Sequence, residues 1–456
     1  MQITKTKSEE QENKIFGKLN SFLGKFEIIK ILNESNIKKV RGFKVKDIII
    51  KLAELPFLQK NFYQGIVKNK DIEFGKTVAY DLLNNSKYNW RLFLNKIVVI
   101  VINTCLKPLT TEKREAVFIL DDSPHPRNSS KKVELLARVY NHVTNKYFKG
   151  FRLLPLCWSD GNSLIPVDFV LLSSNKAENR YQEINEKIDK RSCGYKRRFE
   201  AISKTTDLIV PMLKMAFKKG IRANYLLMDS WFGYPATIGS IKPIIDVICM
   251  IKNTPKVFYY QNGIGVTVSQ IYKKLKKRRG MANIKGSEIV EIGQGSEAIK
   301  VKIVFVKNRN NKREWLSILS TDISLSDADI VRIYGKRWDI EVFFKMMKQC
   351  LNLGKEMELR NYDGMIAHIT IVMLRYIFLT VEQRNSVDDK TFGGVYMEMI
   401  DEMKDITVAE ALIRILVLAF REIRKLEDIS EKIISQIFDI FMGVVMEKYQ
   451  FKRLAA

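Results

Sequence analysis

The chain has 456 residues, 46% of them apolar, with a formal net charge of +26 and a pI of about 9.6. That length suggests two to four structural units, and the apolar content supplies a sizeable core, which excludes wholesale disorder. The charge points to a polyanionic partner, with nucleic acid first and an anionic membrane second, or else reflects a generally Lys-rich proteome.

The five cysteines, Cys105, Cys157, Cys193, Cys249 and Cys350, are odd in number and form no CxxC or Cys/His cluster. A disulfide framework and a structural zinc site are therefore not expected, and the usage fits a reducing, cytoplasmic setting. With three histidines the chain also lacks the means for a His-rich metal site.

Taken in order, residues 1–14 are polar, carry no apolar stretch of the signal-peptide kind, and read as a disordered leader. Residues 15–110 show apolar positions at intervals of three and four, the mark of helices. Aromatics are interleaved with Lys and Arg there: Phe26, Phe43, Phe57, Phe62, Tyr63, Tyr80, Tyr88 and Trp90. Such a unit could dock on DNA, or be an ordinary bundle with a solvated basic face. Ile97–Leu106 and Ile366–Leu379 are the most apolar stretches. The first is too short to span a bilayer and the second carries His368 and Arg375, so both read as buried helices and no membrane partner is expected.

The texture changes at Glu115. Ala116–Leu120 is a short apolar run that reads as a buried strand, stopping at a turn in Asp121-Asp122-Ser123-Pro124. Tyr147–Trp158 and Ser163–Leu172 read as a hairpin joined through Ser159-Asp160-Gly161-Asn162. The basic stretch from Asn175 to Arg198 reads as a mobile loop, and Phe199–Lys219 as a helix stopped by Gly220. Asn224–Met228 is a further strand that runs into Asp229, and Ile244–Met250 is another. This order describes a mixed α/β sheet over 111–251. Residues 252–322, with Gly-rich turns and alternating runs, read as a β-rich insertion holding the densest basic segment, Lys273–Arg279. Ser326 to about Leu351 returns to helix, and 361–456 form a helical C-terminal region.

One helical stretch carries chemistry. Tyr334, Arg337, Glu341 and Lys348 fall within an arc of roughly 60° at 3.6 residues per turn, with Lys345 close to the same face. Ile333, Ile340, Phe343 and Met347 face the other way. A carboxylate flanked by cations and a phenol suits a metal ligand among phosphate-binding groups, and equally a salt-bridged surface. The spacing Tyr334-x2-Arg337-x3-Glu341-x6-Lys348 is similar to the YREK signature of the insertion-sequence-four group of DDE transposases. Arg337-Trp338 and Phe343-Phe344-Lys345 also resemble that family, as do two strands that end in acidic turns, Leu120-Asp121-Asp122-Ser123 and Leu227-Met228-Asp229-Ser230-Trp231. The likeness extends over roughly Leu52 to Leu379.

The resemblance implies a ribonuclease-H-like catalytic core, formed by 111–251 and 323–360, with Asp122, Asp229 and Glu341 as catalytic metal ligands. Side chains alternate across a strand, so one of Asp121 and Asp122 enters the site. The family pattern of Asp before a small hydroxyl residue favours Asp122, and Asp121 is the fallback. It further implies two Mg²⁺ ions, for which Mn²⁺ can substitute, since hard oxygen ligands suit them. Tyr334, Arg337 and Lys348 would hold phosphates, with Lys345 beside them, and Trp338 or Trp231 would stack on a base or pack in the core. The implied activity is cut-and-paste transposition: cleavage at terminal inverted repeats and strand transfer into target DNA, by a homodimer assembled on double-stranded DNA. The N-terminal helices would recognise the ends, and Lys190–Arg198 and Lys273–Arg279 would track phosphates. The alternative is a transposase-derived DNA-binding protein that no longer cuts.

Overall fold

The computed structural model describes residues 17–109, 114–141, 144–276, 283–308, 314–385 and Ile440. The expected leader at 1–14, the end of the basic run beyond residue 276, and most of the expected C-terminal helical region lie outside the described residues.

The short apolar run forms β1 (Val117–Leu120), every residue of which is buried. A strand hydrogen-bonded on both edges and covered on both faces has no polar side to show, so a continuous apolar run fits it. The hairpin is made by β4 (Lys146–Ser159) and β5 (Leu164–Leu172). Its turn is held by Asp160, whose Oδ1 accepts from the backbone N–H groups of Asn162 and Ser163, and by Gly161 at φ +88°. β6 (Tyr225–Met228) and β7 (Asp246–Ile251) follow. The spatial order is β5–β4–β1–β6–β7, with β4 antiparallel to β1 and β5, and β6 and β7 parallel to β1.

The expected turn after Leu120 is a continuing strand instead. β2 (Ser123–Pro126) pairs with β4 in the same register as β1: Leu120 opposes Leu156 and Ser123 opposes Leu153. The 14-residue β4 is long enough to template both segments, so the chain runs straight through Asp121 and Asp122. β3 (Ala137–Asn141) lies on the other edge of β4.

The strands of the 252–322 region continue the same sheet. β12 (Trp315–Ser320) pairs antiparallel with β7, followed by β11 (Ile299–Lys307), β10 (Ile284–Ile292) and a small hairpin of β8 (Tyr259–Gln261) and β9 (Ile264–Val266). Lys273 and Lys274 of the basic run end a short helix, Val268–Lys274, whose start is fixed by a Thr267–Gln270 capping box.

The apolar helix Tyr362–Asn385 is as long and apolar as a membrane span, yet its apolar window is wholly enclosed by protein. The N-terminal helices gather on it, with Phe22 and Phe57 set edge-on against Phe378. Arg375, buried on this helix, donates to the carbonyls of Leu52, Ala53 and Leu351 and to Glu356. Most of the interleaved N-terminal aromatics are core: Phe26, Phe57, Phe62, Tyr88 and Trp90 are buried, while Tyr63 is exposed.

The expected mobile loop at 175–198 closes into a helix, Cys193–Ala201, capped by Ser192. Arg197 and Arg198, read as phosphate-tracking, are buried instead. Arg198 makes a two-pronged contact with Glu134 at 2.6 and 2.8 Å, and both arginines meet Asp363 at 2.5 and 2.8 Å. Removing one partner of a buried pair strands the other charge in a low dielectric. Asp363→Ala is therefore expected to cost on the order of 3–5 kcal/mol in urea unfolding.

The helix Asp327–Gly335 is tied to the start of β1 by Arg332, which donates to Glu115 at 2.6 and 3.0 Å. Hydrogen bonding to Arg332 holds the Glu115 carboxyl down to about 2, below its ordinary 4.5. A depressed folded pKa means stabilisation that is full above about 4.5 and is lost as pH falls through about 2. Because Arg332 is half exposed, the pair contributes about 1 kcal/mol or less. Glu115→Gln should show that loss in urea unfolding at neutral pH, and the difference from wild type should vanish as the pH is lowered toward about 2.

Candidate active site at the carboxyl ends of β1 and β6

β1 and β6 run parallel with Leu120 opposite Met228, so the next residues, Asp121 and Asp229, stand side by side where β6 ends. Parallel neighbours lie about 4.8 Å apart, and residues level with one another project to the same face. The sheet order turns here, with β4 on one side of β1 and β6 on the other. Beyond Met228, β2 has no β6 neighbour, and Arg337 spans the crevice between these strand ends and Glu341, at the carboxyl edge where ligands of open α/β sheets bind.

Alternation along β1–β2 then divides the two aspartates. Phe118, Leu120 and Asp122 face the helix Thr205–Lys218: Phe118 packs edge-on with Phe217, and Asp122 accepts from Arg152 at 2.7 Å, while Arg152 also donates to Thr205. Ile119, Asp121 and Ser123 face the opposite side, where Arg337 lies 3.4 Å from Asp121 and Lys348 donates to Ser123 at 2.6 Å. The structure thus sets Asp122 against Arg152 and Asp121 on the side of Arg337, the helix residue that also holds Glu341. The strand does not turn at the acidic pair, so the period of two puts Asp121 on the face of Asp229 and sends Asp122 to Arg152. Arg152 and Ser123 were not foreseen, since finding them requires the β1–β4 register.

The residues of the signature helix come from three joined pieces: the helix Asp327–Gly335, a 3-10 turn Lys336–Trp338 and the helix Asp339–Gln349. This rod is fastened to the sheet at three points. Lys336 donates to the Glu115 carbonyl at 2.7 Å, Ser159 donates to Asp339 at 3.2 Å, and Lys348 reaches Ser123. Its apolar face, with Ile340, Phe343 and Met347, is buried, and the polar face looks onto the crevice.

Arg337 is the centre of that face. It donates to Glu341 Oε1 at 2.7 Å and lies 3.4 Å from Asp121 Oδ2, bridging the helix carboxylate and the strand carboxylate. Glu341 remains partly open, with 40% of its side chain exposed, so a ligand can reach it. Tyr334 is buried, and its hydroxyl has no hydrogen-bond partner among the described residues. Burial raises its pKa, so it is a neutral phenol with a donor to offer. Lys345 and Trp338 are exposed, Trp338 by 63%. Trp231, 38% exposed, carries the Lys252 ammonium 4.5 Å from its ring centre. Neither Trp belongs to the core.

Burial pushes the Asp121 carboxyl up to about 7, and the nearby charges of Asp122 and Asp229 push in the same direction, against Arg337. Burial pulls the Lys348 ammonium down from its ordinary value. A carboxylate that resists ionisation is stabilised by a cation beside it, and Arg337 supplies such a charge to Asp121. Among the described residues, no three Asp, Glu, His or Cys side chains are gathered closely enough to hold a metal ion by themselves. The donor chemistry is that of hard oxygen ligands, and the arginine bridging Asp121 and Glu341 stands where a cation would be favoured.

Between them, two family models match the stretch of chain that carries these residues. Residues 64–257, which include both strand-end aspartates, match the family model described as DDE superfamily endonuclease. Residues 185–382, which include Asp229 and the Glu341 helix, match the one described as "Archaeal putative transposase ISC1217". No curated protein matches the chain. DDE endonucleases generally use divalent metals, and transposase-family domains imply DNA as substrate. From residue 64 to residue 382, then, the chain is similar to DDE endonucleases and transposases, and this supports a nucleic-acid-cleaving function of the transposase type.

Proposed function

We propose that the protein is a DDE transposase of the insertion-sequence-four type, built on a ribonuclease-H-like core, that cuts transposon ends and joins them to target DNA. One observation carries this reading: the β1–β6 register places Asp121 and Asp229 side by side, and Arg337 links Asp121 to Glu341 across the crevice. The strand order β5–β4–β1–β6–β7, with an antiparallel hairpin followed by two parallel strands, supports the ribonuclease-H-like assignment. So does the Tyr334, Arg337, Glu341 and Lys348 face for the family assignment.

In this reading Asp121, Asp229 and Glu341, which are not gathered closely enough here to hold a metal by themselves, would supply the ligands for the divalent metal, Mg²⁺ or Mn²⁺, as two ions. When bound, the metal supplies the Lewis acidity that activates the attacking oxygen and stabilises the leaving one. The protein's own groups do the rest. Arg337 can turn its guanidinium from the two carboxylates to a phosphate, a planar two-pronged match. Tyr334 offers its unpartnered hydroxyl, and Lys348, anchored on Ser123, adds a cation at the far end of the face. Trp338 and Trp231 present open rings on which an unpaired base can stack. Asp122, bound to Arg152, is a structural carboxylate that fixes β2 against β4. Recognition of terminal inverted repeats and pairing of two protomers on DNA complete the reaction in this proposal.

The test is cutting of a fragment that carries the gene's own flanking ends, with Mg²⁺ or Mn²⁺. Alanine at Asp121, Asp229 or Glu341 should leave DNA binding intact and lower the cutting rate on the order of 10³-fold or more, since metal stabilisation is worth several kcal/mol. Asp122→Ala should retain most of the cutting activity in protein that is less stable. Equal loss in Asp122→Ala and none in Asp121→Ala would return the first ligand to Asp122. If the wild type binds the ends but cuts them with neither metal, the chain is a transposase-derived DNA-binding protein instead.

A further inference from the structure

A cleft of about 1240 Å³ lies beyond the far end of β2 from the carboxylates. The segment 61–84, the loop after β2 and the segment 354–361 form its walls. Six cations line it: Lys76, Arg127, Lys131, Lys132, Lys355 and Arg360. Two carboxylates belong to its walls. Glu356 is buried and engaged by Arg375, which leaves Glu358 as the exposed one.

Arg127 is the notable member. Its backbone N–H donates to the Lys149 carbonyl at 2.7 Å, and Asn128 Oδ1 accepts from Lys149 N at 3.1 Å, so the loop is fastened to β4. One of its nitrogens, Nη1, makes a long contact of 3.5 Å with the Gly354 carbonyl. Nε and Nη2 are buried and have no hydrogen-bond partner among the described residues. Gly354 suits the chain turn it occupies, because its φ is +77° and a Cβ there would sit 3.1 Å from the His125 ring. A partly buried guanidinium with two unpaired donors is costly, and it is held only by the long contact to Gly354 and the charge of Glu358, so a turn toward the cleft would present those donors to an acceptor there. A phosphate is the acceptor that matches two donors of one guanidinium and the surrounding excess of cations.

We infer that this cleft is a second DNA-backbone site, in which Arg127, flanked by Lys131 and Lys132, grips a phosphate of the duplex whose scissile bond lies at Asp121. Asp121 and Arg127 are six residues apart along a nearly straight strand, about 20 Å at 3.3 Å per residue. That equals about six base steps of 3.4 Å. The choice of DNA as occupant rests on the transposase reading. The site positions and orients the duplex and carries no base recognition.

The experiment measures binding of a fluorescent, random-sequence DNA duplex by the full chain across a salt series. Arg127→Gln/Lys131→Ala/Lys132→Ala should weaken binding on the order of 10-fold and reduce the slope of log K against log salt by about 0.9 for each phosphate no longer neutralised. The control removes three cations at the other end of the sheet: Lys214→Ala/Lys218→Ala/Lys219→Ala. If Arg127→Gln disturbs the fold, Lys131→Ala/Lys132→Ala alone, both exposed, should still lower the slope. An unchanged slope, or an equal change in the control, overturns the inference. Weaker binding of an RNA duplex with DNA binding unaffected overturns it too. Cutting by the wild type together with unaltered binding in the cleft variant sinks the cleft alone. Weaker binding in the cleft variant with no cutting by the wild type sinks the transposase reading alone.

Discussion

Strand β1 is hydrogen-bonded on both edges at once, to β4 in antiparallel and to β6 in parallel register, and everything at the crevice depends on that double pairing. A one-residue slip against β4 would exchange the faces of Asp121 and Asp122. A slip against β6 would part Asp121 from Asp229. Both are opposed by burial, because Val117 to Leu120 are enclosed on both sides and any slip exposes or misplaces four apolar side chains. Asp121 therefore follows a strand whose register is firmly set by burial, which suits a position whose geometry has to be fixed before a ligand arrives.

The helix across the crevice is held differently. Its apolar face is packed, but its position along the sheet is set by discrete polar contacts at Glu115, Ser159 and Ser123. The 3-10 turn at Lys336–Trp338 begins with the lysine of the first contact and ends just before Asp339, the acceptor of the second. That turn carries Arg337 on the crevice side and leaves Trp338 open to solvent. Packing fixes the distance of the rod from the sheet, and the polar contacts fix its register.

Buried charge is concentrated where chain segments far apart in sequence meet. Arg197 and Arg198 join the 193–201 helix to the first turn of Tyr362–Asn385 through Asp363, and to β3's approach through Glu134. Arg375 joins that same helix to Leu52 and Ala53 in the N-terminal region. Arg91 makes a two-pronged contact with Asp168 of β5. Such pairs add little net stability but strongly disfavour other arrangements, since any misplacement leaves a charge buried alone. This is also why the basic composition overstates the cationic surface: several arginines that a sequence scan would assign to phosphate are engaged inside.

Local pattern was enough to locate β1, the β4–β5 hairpin with its Asp160-Gly161 turn, β6 running into Asp229, and the helical stretch that carries Tyr334, Arg337, Glu341 and Lys348, though not its break at the 3-10 turn Lys336–Trp338. Each of these is written in a short window, by apolar runs, alternation or a period of 3.6. The sequence could also narrow the first acidic position to two adjacent residues, because alternation admits only one. The family pattern favoured Asp122, but the sequence could not show which face each aspartate takes. That is set by β4, whose ladder continues past Leu156 to Gly150 and carries the chain straight through the acidic pair. Nor could the sequence tell that Arg197 and Arg198 meet Asp363, that most of the N-terminal aromatics are core, or that Arg127 stands with idle donors in a basic cleft. These facts arise from pairings across tens to hundreds of residues. A residue's own window sets its secondary structure, and only the tertiary fold sets which charges share a low-dielectric space.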